Sequence, residues 1–219
     1  MTWELDHVFL TVPDLAGSEQ LLSEFGMTFT ERRVHRGQGT TNACAMFENA
    51  FFELVGPHDA AELQSELVKP LGLNERIGWR RTGACPFGLC FRPSRGALDV
   101  DALPFQTWPY APPYVPPEGS IPIVTARGRL REPLVFLQRP RVSFWPRDTR
   151  HRGAARVLTK LRVTLPLPAG PISDGVRWFT EQQSFALKIG ASYLLELEWD
   201  GGREQQSALL GGLPLLVRW

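Results

Sequence analysis

Between Leu5 and Gly56 the spacing of apolar residues switches from every second position to every third or fourth and back again, a change of period that restricts the fold more than any other feature. In Leu5–Val12, Val8, Leu10 and Val12 alternate with His7, Phe9 and Thr11, as on the two faces of a strand. Asp14 then stands where a helix N-cap belongs, Leu15, Leu21, Leu22 and Phe25 follow near helical spacing, and Gly26 occupies the C′ position. Met27–Val34, Ala43–Phe47 and Ala50–Val55 return to strand patterns, the last two joined by Glu48 and Asn49 as a hairpin turn. Residues 5–56 are therefore predicted to form a β-α-β-β-β unit. Such a unit leaves one sheet face bare and needs a partner.

Two stretches offer that partner. Leu158–Pro166 is similar to Leu5–Pro13, and Tyr193–Leu197 to Ala50–Leu54, which predicts a shortened second unit over 158–199 with a helix near Asp174–Thr180. Strand-like segments at 84–92, 121–125 and 133–138 make 84–139 an irregular middle region that holds another partial copy. Inside it, residues 93–120 carry seven prolines with Trp108, Tyr110 and Tyr114, a long loop that reads either as a lid or as a cover for a sheet edge. Asp59 and Glu62 read as the capping pair of a further helix that carries Leu63 and Leu67 and ends at Pro70 and Gly72. The expected fold class is α+β: repeated β-α-β-β-β units forming a curved mixed sheet around a cleft, in a single domain spanning residues 1–219.

Composition supports short strands and turns over a helix bundle, with 20 Gly, 19 Pro, 13 Phe and 7 Trp against 3 Met. No apolar run approaches the roughly 18 residues of a membrane span, and Met1-Thr2-Trp3-Glu4 does not open a signal region, so a cytoplasmic protein without a membrane partner is expected. Cys44, Cys85 and Cys90 lack Cys-x-x-Cys spacing and read as buried free thiols. The net charge of +1 hides an asymmetry: residues 1–75 hold 12 acids against 4 bases, whereas 127–162 hold 11 bases against 2 acids. Aromatic interleaving in that Arg-rich stretch is confined to Phe136, Phe144 and Trp145, so a match to the acidic third, or an anionic small molecule, is preferred to nucleic acid.

Glu53 is the most informative single residue. Phe51 and Val55 share its face and Phe52 and Leu54 fill the other, so its carboxylate must be paired, protonated or metal-bound. Glu196 lies on a strand where Leu194, Glu196 and Glu198 alternate against Tyr193, Leu195, Leu197 and Trp199, which also suits a solvated face. His7 opens the first strand beside Asp6. A Gly-rich turn follows His35, where Thr40 and Asn42 can bind a ligand as readily as cap the turn. There is no Gly-x-Ser-x-Gly, P-loop, His-Glu-x-x-His or dinucleotide fingerprint.

His7 in Leu-Asp-His-Val-Phe-Leu-Thr-Val-Pro, followed by Ala-Phe-Phe-Glu53-Leu, resembles the vicinal oxygen chelate superfamily that includes glyoxalases. The segment Val34-His35-Arg36-Gly37-Gln38-Gly39-Thr40-Thr41-Asn42 and the His151-Arg152-Gly153-Ala154 segment resemble a glyoxalase-like branch of it. The resemblance implies a glyoxalase/bleomycin-resistance-like fold and a divalent metal (Mn, Fe, Zn, Ni or Co) on His7 and Glu53. The partner module would supply the rest of the site: positions near Phe87 and Leu137, beside Gln138, if it is 84–139, or Lys160 and Glu196 if it is 158–199. On this basis Glu196 is a third metal ligand or general base, His35 and His151 are acid–base candidates, and Thr40, Asn42 and Gln138 bind the ligand. The implied activity is that of a metal-dependent lyase, isomerase or dioxygenase acting on a small oxygenated molecule, a homodimer being compatible with it. The alternative is a metal-free binding or sequestering protein of the same fold.

Overall fold

The computed structural model describes residues 2–116, 118–139, 151, 155–166 and 171–219. Phe144, Trp145 and Arg152-Gly153-Ala154, named above for the Arg-rich stretch and the His151 segment, lie outside the described residues.

The first unit follows its pattern. Strand β1 (Trp3–Thr11) leads into helix α1 (Leu15–Phe25), where Asp14 accepts from the Gly17 amide and Gly26, at φ 113°, closes the helix in the left-handed region. Strands β2 (Arg33–His35), β3 (Thr40–Met46) and β4 (Phe51–Pro57) complete it, with β3 and β4 antiparallel through Met46 and Phe51. The strand expected over Met27–Val34 is confined to its last residues. The Thr28 amide donates to the His151 ring and the Thr30 amide to the Cys44 carbonyl, so this backbone is satisfied outside any ladder.

Residues 60–82 form three short helices, α2 (Ala60–Leu63), α3 (Leu73–Ile77) and α4 (Trp79–Thr82), in place of the single helix through Leu67. Gly72, at φ 64°, and Gly78 divide them. Asp59 caps α2 as expected, but Glu62 turns away and accepts from the amides of Gly37 and Gly39.

The middle region supplies β5 (Phe87–Pro93), β6 (Trp108–Tyr110), β7 (Ile121–Ile123) and β8 (Leu134–Leu137). These join the first unit in one eight-stranded sheet of order β2-β3-β4-β1-β5-β8-β7-β6. The two halves mirror each other across the antiparallel β1/β5 seam, and β4 and β8 each run parallel to their inner neighbour. The module that completes the curved sheet is therefore 84–139.

The copy at 158–199 has a different position. β9 (Leu158–Leu165), helix α5 (Asp174–Glu181), β10 (Ala186–Ile189) and β11 (Leu194–Trp199) join β12 (Ser207–Leu209) and β13 (Leu215–Arg218) in a second sheet of order β10-β9-β11-β13-β12. Its Val163, Leu165, Leu195 and Leu197 share a core with Val8, Leu10, Phe52, Leu89 and Val135 of the first sheet. This is α+β architecture with the curved mixed sheet of a glyoxalase/bleomycin-resistance-like fold. The other face of that sheet carries a second cluster, in which Leu63, Leu71, Leu73 and Ile77 pack beside Phe9, Val55 and Phe136. The short helices thus close one end of a cleft. Among the described residues no helix is long and apolar enough to cross a membrane.

Candidate active site cleft

Alternation on β1 and β4 turns His7, Phe9, Phe51, Glu53 and Val55 to the same side of the sheet, and the cleft they line has a volume of about 720 Å³. Its walls are mostly apolar. Leu71, Leu73, Ile121, Ile123, Leu134 and Phe136 surround a polar strip made by His7, Glu53, Asn42, Gln38, His35 and Gln138. The Phe9 ring fits over β5 because residue 88 is glycine: a Cβ there would lie 2.0 Å from that ring.

His7 is held from behind. The β1/β5 register shifts between Leu5 and His7, and this bulge puts Asp6 beside the imidazole. His7 Nδ1–H donates to Asp6 Oδ1 at 2.7 Å, and Arg92 Nη1 donates to Asp6 Oδ2, also at 2.7 Å. Phe51 stacks on the ring at 4.3 Å and Phe136 meets it edge-on at 5.3 Å. With Nδ1 engaged, Nε2 faces Glu53, whose Oε2 is 3.7 Å away. Glu53 is only 6% exposed, and its other oxygen accepts from Asn42 Nδ2 at 2.5 Å.

These donors can be tested against a divalent ion. Two ligand atoms about 2.1 Å from one ion can stand up to about 4.2 Å apart, so His7 Nε2 and Glu53 Oε2 fit as a pair. A carboxylate on the outer imidazole nitrogen is the partner that metal-binding histidines carry. Asp6, His7 and Cys90 also bring ligand atoms within 4.8 Å of one another. There, however, Asp6 is engaged by His7 and Arg92, so that trio orients His7 in preference to chelating. The second half of the sheet brings Leu134, Phe136 and Gln138 to the cleft, with no His or Glu among them, and Cys90 pairs with Phe136 beside them. The remaining ligand positions would face open cleft.

His35 joins the strip from β2. Its Nδ1 is 2.9 Å from Thr40 Oγ1, and Gln38 Nε2 donates to the same hydroxyl at 2.8 Å. The strap between β6 and β7 comes down on this group: Tyr110 and Tyr114 both donate to Gln38 Oε1, at 3.0 and 2.6 Å. Gly37 (φ 77°) seats the strap, since a Cβ there would be 2.6 Å from Pro113 Cγ. Burial raises the pKa of both phenols, which stay protonated at neutral pH.

Burial also lowers the pKa of His35, with Glu53 raising it less and His7 and Arg33 lowering it further. The folded state thus binds fewer protons at this ring than the unfolded chain, and its contribution to stability is lost as pH falls below the ordinary value of 6.5. Urea midpoints measured from pH 5 to 8 should show a steeper acid-side decline for the wild type than for His35→Gln. Parallel curves would refute this assignment.

Two other expected residues are elsewhere. Glu196 is not in the cleft: it lies on β11 in the second sheet, where Arg162 and Arg218 reach it at 3.2 and 3.3 Å. The partly solvated face of that strand explains this carboxylate by cross-strand ion pairs. His151 accepts from the Thr28 amide at Nδ1 (3.1 Å) and donates from Nε2 to the Met46 carbonyl (2.8 Å), so both nitrogens serve the backbone. It lines a separate cavity of about 440 Å³. His7, Glu53, His35, Asn42 and Gln138 line the main cleft, and Thr40 supports His35 from beneath. Sequence reasoning missed Gln38, Tyr110, Tyr114 and the Asp6–Arg92 support. The spacing of two tyrosines four apart in a proline-rich loop was the only local sign.

A family model described as a glyoxalase-like domain matches residues 5–161. Among solved structures, a hypothetical protein from Staphylococcus aureus aligns over 99% of this chain and 98% of its own, with a TM-score of 0.56 at 8% identity. A hypothetical protein from Bacillus halodurans C-125 aligns over 66% and 100%, with a TM-score of 0.40 at 14% identity. Methylmalonyl-CoA epimerase from Mycobacterium tuberculosis aligns over 61% and 85%, with a TM-score of 0.34 at 18% identity. No curated protein matches the chain. The Staphylococcus aureus protein shares the fold of this chain.

Proposed function

We propose, from the premise that the chain belongs to the family of glyoxalase-like domains, that its cleft binds a small oxygenated molecule whose oxygens turn to His7 and Glu53, with a divalent metal held by that pair. The observation that carries this reading is the pair itself, with Nε2 and Oε2 3.7 Å apart in an apolar cleft. A bound ion would supply Lewis-acid polarisation of a carbonyl or enolate oxygen.

The chain's own residues supply the rest. Asp6 accepts from Nδ1–H, which leaves Nε2 as the nitrogen directed into the cleft. Asn42 holds one oxygen of Glu53 and leaves the other directed at His7. The apolar walls exclude water and strengthen each polar contact inside. His35 is the acid–base residue of the cleft in this reading, and Gln138 binds the ligand from the opposite wall. Lyase, isomerase or dioxygenase chemistry of glyoxalase type is the reaction class.

A metal-free binding protein is the second reading. It is favoured by the presence of two protein donors where catalytic metal sites generally present three. Metal analysis of protein purified without an affinity tag, repeated for His7→Ala and Glu53→Gln, separates the two. The enzyme reading expects about one equivalent of Mn, Fe, Zn, Ni or Co in the wild type and none in either variant. Background metal in the wild type, with thermal melting unchanged by chelator, would leave the binding reading alone.

A further inference from the structure

We propose that Tyr110 and Tyr114 set His35 as a neutral imidazole protonated at Nε2, through Gln38 and Thr40, so that the cleft presents an N–H donor to an acceptor oxygen of the ligand. Gln38, Tyr110 and Tyr114 are then positioning residues that act through His35.

The argument is a count of hydrogens along one chain of contacts. Tyr110 and Tyr114 each bring a hydroxyl to Gln38 Oε1, at 3.0 and 2.6 Å. The two hydroxyls also hydrogen-bond each other, and the Gln38 oxygen is the acceptor that both share. Turning the amide over would put its NH₂ group against the two hydroxyl oxygens and take the acceptor away from the buried Tyr110 hydroxyl, a costly loss for a buried donor. The amide is therefore held with Oε1 toward the strap and Nε2 toward β3.

Nε2 donates to Thr40 Oγ1 at 2.8 Å. With that oxygen accepting from Gln38, the single Thr40 hydrogen is free to point at His35 Nδ1, 2.9 Å away. Thr40 Oγ1 has a second lone pair, so what turns its hydrogen to Nδ1 is the Gln38 amide standing on the same side; Nδ1 then accepts, and a neutral ring carries its proton on Nε2. Gln38 Nε2 also stands 3.4 Å from Nδ1, and two donors around that nitrogen oppose its protonation. No hydrogen-bond partner for Nε2 is recorded among the described residues, and His35 lines the cleft. The nitrogen left for the ligand is thus a donor. It suits a carbonyl, ether or enolate oxygen and disfavours an ammonium or amide N–H.

Loss of both phenol hydroxyls would free the amide to rotate and let Thr40 accept from Nδ1–H. The use of the Nε2 donor toward a ligand rests on the reading of the cleft as a small-molecule site, whereas the tautomer does not, and the two can fail separately.

Long-range ¹H–¹⁵N correlation spectra of the uniformly labelled, chelator-treated full chain read the tautomer with no ligand or metal present. Histidine 35 is assigned by its disappearance in His35→Gln. The wild type should show a bare Nδ1 and a protonated Nε2 at His35. The Tyr110→Phe/Tyr114→Phe double variant, which keeps both rings, should move His35 toward a mixture of the two tautomers, and Gln38→Leu should do the same. His151, whose nitrogens are fixed by Thr28 and Met46, should stay unchanged in all of them and so reports an intact fold. A wild-type His35 protonated at Nδ1, or a His35 signature identical in the wild type and the phenylalanine variant, would overturn the proposal.

Discussion

Arg76→Met is expected to lower the free energy of unfolding by about 3 to 5 kcal/mol, enough to remove much of the stability of an ordinary domain. Arg76 is 1% exposed, and its guanidinium donates to the carbonyls of Leu71 (3.1 Å), Cys85 (2.8 Å) and Glu132 (2.7 Å). Those carbonyls remain buried when the side chain is cut back, so the variant loses charge-assisted bonds and orphans their acceptors together. Its own carbonyl accepts from Thr11 Oγ1 at 2.7 Å, which ties α3 to the end of β1. One residue therefore joins the helices that close the cleft to the lead-ins of β5 and β8. Burial lowers its pKa, yet an arginine starts high enough to stay charged. The check is the midpoint of urea unfolding. Arg76→Lys should recover only part of the loss, because an ammonium cannot fork to three carbonyls. An unchanged midpoint for Arg76→Met would refute this account.

Asp6→Asn is expected to weaken metal binding at the proposed site by about 10- to 100-fold while leaving the fold in place. The carboxylate bridges His7 Nδ1 and Arg92, each at 2.7 Å, and fixes both the tautomer and the tilt of the ring. Asparagine keeps the shape and can still accept from Nδ1–H, but it gives up the negative charge behind the ligating ring. Competition titrations with zinc or nickel, against a chelator of known affinity, measure the change directly. Equal affinities for Asp6→Asn and wild type would show that Asp6 serves Arg92 and the bulge alone.

Short-range features were legible in the chain. The helix from Leu15 to Phe25 is decided by Asp14, its own apolar spacing and Gly26, all within one segment. The pairing of His7 with Glu53 came from the resemblance of their motifs to the superfamily. Period-two alternation assigned each residue to a face of its own strand, and the parallel pairing of β1 with β4 brings those faces together.

What came out differently depends on which strands meet. Glu196 corresponds to Glu53 only through the repeat, on a strand whose alternation also suits a solvated face, and there Arg162 lies directly opposite it on β9 and Arg218 reaches it from β13. Glu62 could cap its own helix, but two amides of a glycine turn more than twenty residues earlier were better placed. His151 looked free of core packing and was taken by a backbone amide and a carbonyl from the first unit. In each case the residue type was apparent and its partner was not, because the partner comes from distant sequence.

The amino-acid sequence by itself determined the β-α-β-β-β unit, since local periodicity acts over a few residues, and its motifs resembled a family that implies His7 and Glu53 as partners. Only the tertiary structure decided that 84–139 pairs across the β1/β5 seam while 158–199 supports the sheet from behind. It alone placed Asp6 behind His7 through a bulge, and Tyr110 and Tyr114 over Gln38. Strand pairing, ion pairs and hydrogen-bond partners depend on distances in space, and chain separation carries no information about them until the sheets have closed.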